Sequence, residues 1–194
     1  MKNMNLPNKL TVLRIIATPI FMLCLLWQFP YHYFVSMLIF IAAALTDMFD
    51  GQYARKHNMV TDFGKFLDPL ADKMLTSAAF IGFAAMGVGK GSAWILFIVL
   101  FREFMVSSIR LIAVSSGGKV IAANFWGKLK TVSQMVAIIY VLFAEGIKCI
   151  LSAPLLSSVL DVFTFSFLWI SAVLCIISGI IYLKDNFSLL DPEK

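Results

Sequence analysis

The chain has 194 residues, of which 60% are hydrophobic and 14% charged, with a mean hydropathy of +0.88 and a net charge of +5. Soluble domains are about 45–50% apolar and about 25% charged, so this composition excludes an ordinary soluble fold, a disordered chain and a collagen-like fibre. A single domain over 1–194 accounts for the length, and lipid is the solvent that suits it.

From the N-terminus, Met1–Lys9 reads as a short interfacial segment. It is not the start of a signal peptide, because no small-x-small cleavage site follows the apolar run Ile15–Phe29. Further uncharged runs cover Pro30–Thr46, Met74–Gly89, Gly91–Phe101, Thr131–Ala144 and Val162–Leu183. A spanning helix needs about 20 mostly apolar residues, fewer when its ends carry functional or snorkelling charges. Six spans are expected, over roughly 10–28, 33–55, 65–87, 93–115, 127–146 and 160–184. Continuous apolar runs, as opposed to alternation, favour helices over barrel strands. The expected fold is an all-α integral membrane protein with six transmembrane helices.

An even number of spans puts both termini on one side. Lys and Arg residues fall overwhelmingly on that side, against Lys90 and Lys148 on the other, so the termini are expected in the cytoplasm. The net charge is this asymmetry. It suits anionic headgroups or phosphorylated substrates, and no basic stretch interleaved with aromatics suggests nucleic acid. Trp27, Tyr31 and Tyr33 fit an aromatic belt on the far side. Cys24, Cys149 and Cys175 lack metal-ligand spacing and read as small core residues, and His32 and His57 as loop residues.

Acidic residues are scarce, yet Asp47, Asp50, Asp68 and Asp72 fall together at the junction of the second and third spans. Ionisable groups at membrane depth are costly and mark a functional site. Asp47 continues directly from the apolar run Phe34–Leu45, so it does not belong to a solvated loop. At 3.6 residues per turn, Asp47, Asp50, Gly51, Ala54 and Arg55 share one face, and Gly64, Asp68 and Asp72 share another. The connection over 56–63 is short, so the two helices are expected to run antiparallel as neighbours with their carboxylate stripes facing each other. All-carboxylate ligation suits magnesium or manganese, and two such ions would neutralise the cluster and grip a diphosphate. Arg55 supplies a fixed fork for phosphate oxygens. The alternative is a buried charge network without a ligand.

The string Asp47-x-x-Asp50-Gly51-x-x-Ala54-Arg55, eight residues, then Gly64-x-x-x-Asp68-x-x-x-Asp72, resembles without departure the signature of the CDP-alcohol phosphatidyltransferases. Pro7–Arg14, Arg102-Glu103 followed by Arg110, and Gly127-Lys128-x-Lys130-Thr131 resemble the bacterial phosphatidylglycerophosphate synthase subgroup. The resemblance implies a six-helix membrane homodimer in the bacterial cytoplasmic membrane, its site opening to the cytoplasm. It implies transfer of a phosphatidyl group from CDP-diacylglycerol to glycerol 3-phosphate, giving phosphatidylglycerophosphate and CMP. Asp47, Asp50 and Asp68 would hold metal and nucleotide diphosphate. Asp72 would act as general base and touch the second metal, and Gly51, Ala54, Arg55 and Gly64 would line the nucleotide pocket.

The acceptor phosphate needs cations of its own. Arg110, Lys128 and Lys130 are best placed for it, with Lys65, Arg14 and Arg102 as further candidates; positive-inside anchoring explains any one of them taken alone except Arg102, which is too deep for an anchor and whose alternative is a structural role. Glu103 points away from Arg102 on the helical wheel and is expected to bond another helix. Asn8 and Thr11, on one face of the first helix, are within reach of the nucleotide; helix capping is the alternative for Asn8. Two other functions compete: the same chemistry with inositol phosphate, serine or phosphatidylglycerol as acceptor, and a small cation transporter. The latter lacks broken helices and inverted repeats.

Overall fold

A computed structural model describes residues 6–56, 62–115, 125–151 and 153–187, and within them not the side chains of 6–7, 47–56, 62–66, 68–69, 72 and 114–115. The described residues form six helices: α1 (Leu6–Leu26), α2 (His32–Lys56), α3 (Asp62–Ala85), α4 (Ser92–Ser115), α5 (Phe125–Ile150) and α6 (Pro154–Asp185). Each expected span has its helix, with ends shifted by up to about six residues because polar end residues extend the helices beyond their apolar runs. α1 starts at Leu6, inside the segment read as interfacial.

Among the described residues, three helical stretches are long and apolar enough to cross a membrane: Asn8–Leu26, Phe125–Ile150 and Pro154–Asp185. Among the described residues, the apolar stretches His32–Thr46 and Lys73–Ala85 of α2 and α3 are shorter. Large apolar side chains also cover the outside of the bundle. Trp94, Phe97, Phe101, Phe104 and Leu111 form an exposed stripe along α4, and Ile170, Val173, Ile176 and Ile180 are exposed on α6. A soluble monomer does not present apolar surface on this scale, so the chain is a multi-pass membrane protein.

The core lies on the inner faces. Phe21 and Leu25 of α1, Phe40 of α2, Phe80 and Phe83 of α3, Ile95 of α4, Ile138 and Leu142 of α5 and Leu168 of α6 form one buried cluster. Phe21 and Phe40 meet at 5.9 Å between ring centroids, tilted by 52°. α1 packs against both α2 and α3, whereas α2 and α3 touch each other only sparsely among the described residues. The expected α2–α3 pair is therefore a trio, with α1 as the common partner. α5 bridges α2 and α6, and α4 lies between α3 and α6.

Three smaller expectations need correction. Tyr33 is buried in the core, whereas Trp27 and Tyr31 are exposed as a belt requires, because Tyr33 sits one residue into α2 and turns inward. His32 is the first residue of α2, buried, with Nδ1 3.1 Å from the Leu25 carbonyl. Cys175 is buried, but Cys149 is exposed at the end of α5 and Cys24 is half-buried.

The α3–α4 connection turns on Gly87, Gly89 and Gly91, all with positive φ. Trp169 Nε1 of α6 donates to the Lys90 carbonyl at 3.2 Å and fixes this turn to the bundle. A Cβ on Gly89 would stand 2.7 Å from Leu168 Cδ1, whereas one on Gly87 would meet nothing within 4 Å. Gly87→Ala should therefore cost only left-handed strain, about 1–2 kcal/mol. Gly89→Ala adds overpacking of about 1–3 kcal/mol. Thermal unfolding of the two detergent-solubilised variants should show the larger loss for Gly89→Ala.

Candidate active site

α2 continues as helix through Asp47, Asp50, Gly51, Ala54 and Arg55, and α3 is already helical from Asp62, so Gly64, Asp68 and Asp72 lie in its first half. The helical faces inferred for these residues follow directly from that backbone. Their side chains, and that of Lys65, lie outside the described residues.

α1, which packs on both of these helices, carries a polar surface of its own. Asn8, Thr11, Arg14 and Thr18 recur every three to four residues and are all buried. α1 packs on α2 and α3, so this buried stripe is turned toward the two aspartate helices. Thr18 Oγ1 donates to the Arg14 carbonyl at 2.9 Å, which satisfies the hydroxyl just before Pro19. Asn8 and Thr11 thus lie on an inward face of α1, the placement that contact with a bound nucleotide requires. Arg14 lies on the same inward face, not at the outer surface where an anchoring arginine would sit.

The second polar group is centred on Glu103 of α4. Its carboxylate receives Lys130 Nζ from α5 and Arg102 Nη1 at 3.1 Å on Oε1, and Lys73 Nζ of α3 lies 3.6 Å from Oε2. Lys73 also donates to the Glu103 carbonyl at 3.3 Å and to Ser107 Oγ, which itself donates to the Glu103 carbonyl at 2.6 Å. Arg102 Nη2 donates to Ser178 Oγ of α6 at 2.9 Å. Gly179 makes room for this arm, since a Cβ there would stand 3.2 Å from Arg102 Cγ.

Glu103 bonds other helices, as its position on the wheel suggested, and Arg102 curls back onto it as well. Lys130 is buried against Glu103, whereas Arg110 and Lys128 are exposed on α4 and α5. Arg102 and Arg110, eight residues apart, thus have different surroundings. Arg102 braces α4 to α6, and Arg110 lies within electrostatic range of Lys73. Sequence reasoning does not single out Lys73. Its position next to Asp72, inside the span and not at its end, was the available signal. Ser107 and Ser178 carry none, because isolated serines in an apolar helix have many equivalent uses.

Arg102→Met keeps the length of the arm but removes its bonds to Glu103 and Ser178. Losing hydrogen bonds to a charged group costs about 1.5–3 kcal/mol each, with Lys73 and Lys130 still neutralising Glu103. Thermal unfolding of the variant should show a loss of about 3–6 kcal/mol, with the helical circular-dichroism signal retained.

The family model described as CDP-alcohol phosphatidyltransferase matches residues 4–179. The CDP-diacylglycerol–glycerol-3-phosphate 3-phosphatidyltransferase of Bacillus subtilis is 38% identical over 98% of this chain and 99% of its own. The protein of the same name from Rickettsia bellii is 39% identical over 93% of this chain and 94% of its own. That of Salmonella paratyphi A is 37% identical over 74% of this chain and 79% of its own. The match takes in the aspartate series at the ends of α2 and α3, the polar stripe of α1 and the Glu103 group together. This chain belongs to the CDP-alcohol phosphatidyltransferase family.

Proposed function

We propose that the protein transfers the phosphatidyl group of CDP-diacylglycerol to glycerol 3-phosphate, releasing CMP and leaving phosphatidylglycerophosphate in the membrane. The aspartate series along α2 and α3 carries this reading, in a chain whose near-full-length relatives are named for that reaction. In this reading all six helices span the bacterial cytoplasmic membrane, both termini face the cytoplasm, and the protein is a homodimer.

Among the described residues, no group of histidine, cysteine or acidic side chains is arranged to hold a metal ion. The donors that fit are Asp47, Asp50, Asp68 and Asp72, whose all-oxygen chemistry suits hard divalent cations such as magnesium or manganese, and four carboxylates are enough acid to neutralise two. Metal dependence is general in the family. Bound there, the ions would neutralise the diphosphate of the donor and the charge gathering on departing CMP.

The chain's own groups then divide the remaining work. Gly51, Ala54 and Gly64 keep the facing helices free of bulk where the nucleotide lies, and Arg55 pairs with its phosphate oxygens. Asn8 and Thr11 offer polar contacts from α1. Asp72 accepts the proton of the acceptor hydroxyl, whose oxygen attacks the lipid-linked phosphorus as the bond to CMP breaks. Arg110, Lys128 and Lys130, with Arg14, Lys65 and Arg102, are the candidates to hold the acceptor's phosphate.

The test is CMP release by the purified protein supplied with CDP-diacylglycerol and each of glycerol 3-phosphate, inositol phosphate, serine and phosphatidylglycerol. Turnover should be greatest with glycerol 3-phosphate, vanish in excess chelator and return with magnesium or manganese. Preference for another acceptor would keep the chemistry and replace the substrate. Turnover undiminished by chelator would remove the metals from the mechanism. Asp72→Asn preserves size but not basicity and should lower kcat by about 10²–10⁴, with a smaller effect on CDP-diacylglycerol binding. Turnover within a few-fold of the parent would reassign the base.

A further inference from the structure

Two clusters of ion pairs stand out among the described residues, with opposite balances. Lys148 joins Glu145 and Asp161, each at 2.5 Å, one base between two acids, with Asp161 open to solvent. The Glu103 cluster sets three bases, Lys73, Arg102 and Lys130, on one acid. It is enclosed as well: the side chains of Lys130, Glu103 and Arg102 are 8, 11 and 12% exposed, and Lys73 alone opens outward at 32%.

Among the described residues, neutralising Glu103 takes one cation, and the cluster holds three. The surplus of two positive charges matches a phosphate monoester, which carries about two negative charges at neutral pH. The location fits too. Lys73 follows Asp72 on α3, and one residue of helix is about 1.5 Å of rise, so the cluster lies at the level of the residue assigned to the acceptor hydroxyl. Arg110 is within electrostatic range of Lys73 on the open side.

We infer that Glu103 is a positioning residue of the acceptor site, gathering Lys73 of α3 and Lys130 of α5 into one dianion-binding group in which Lys73 meets the phosphate. This rests on the reading of the acceptor as a phosphorylated alcohol. Without a carboxylate between them, the two ammonium groups repel each other and the Arg102 guanidinium; Lys130 loses the acid it is buried against, and Lys73 is left with the Glu103 carbonyl and Ser107 alone. Ser107 completes the placement by receiving Lys73 while anchored to the Glu103 carbonyl. Arg102, tied to Ser178, sets the depth of Glu103 against α6.

The experiment measures both Michaelis constants and the thermal midpoint of the purified full chain for Glu103→Gln, Glu103→Asp, Lys73→Gln and Lys73→Gln with Glu103→Gln. Glu103→Gln should raise the constant for glycerol 3-phosphate about tenfold or more and leave that for CDP-diacylglycerol within about twofold. Glu103→Asp should recover part of the loss. Lys73→Gln leaves the Lys130–Glu103 pair intact, so it decides the matter if Glu103→Gln does not fold, and it should raise the same constant selectively. The double variant should cost less than the product of the two single effects, because Glu103 acts through Lys73. An acceptor constant unchanged or lowered in Lys73→Gln overturns the proposal, as does a rise of both constants in step with a lower thermal midpoint. If the parent protein itself does not turn over glycerol 3-phosphate, the functional reading falls and this one with it. If the parent does and Lys73→Gln matches it, only this inference falls.

Discussion

A carboxylate inside a lipid-facing bundle has to be met by cations or it costs several kcal/mol, and Glu103 is met by three. That requirement ties together helices that apolar packing leaves free to slide, because lipid competes with side chains for apolar contact and favours no particular register. Lys73 sets α3 against α4, Lys130 sets α5 against both, and Arg102 with Ser178 sets α6. The aspartates of α3 belong to the same rigid element as Lys73, so the register that satisfies Glu103 also sets their height in the bundle.

The two polar groups divide the bundle by function. α1 turns Asn8, Thr11, Arg14 and Thr18 toward α2 and α3, and the aspartates occupy the adjoining ends of those two helices. α4 and α5 bring the cations from the other side of α3. α3 is thus the shared wall, carrying Asp68 and, one turn on, Asp72 followed directly by Lys73. An enzyme that joins a nucleotide-activated lipid to a charged acceptor needs this separation. In the proposed function the anionic end would hold the metal and the cationic end the acceptor's phosphate, close enough for one oxygen to reach one phosphorus.

Much of this was readable from the sequence, for definable reasons. Uncharged runs bounded by Lys, Arg and Gly gave the helices, because in lipid the backbone has no other way to satisfy itself. The aspartate spacing put Asp47 and Asp50 on one face of α2, and Asp68 and Asp72 on one face of α3, because period 3.6 does so in any helix whatever the tertiary packing. Periodicity does not say which helix meets which. The place of α1 between α2 and α3 depends on the shapes of Phe21, Leu25 and Phe40, and no single-helix pattern encodes that. Tyr33 was misread because an aromatic at a helix start looks the same whether it turns to the interface or to the core. The partners of Lys73 lie 30 and 34 residues away on another helix, so the sequence shows its charge and not its use.

The tight glycine turn between α3 and α4 bears on how such a chain enters a membrane. Helices leave the ribosome in order, and α4 emerges with a buried acid before α5 exists to supply Lys130. Arg102 beside Glu103 and Lys73 across the turn are already present by then, so the α3–α4 hairpin contains its own counterions. A short turn with three left-handed residues brings the two helices together without a search through a long loop. The hairpin is thus a charge-balanced unit of insertion, onto which α5 and α6 add after its most expensive residue has been neutralised.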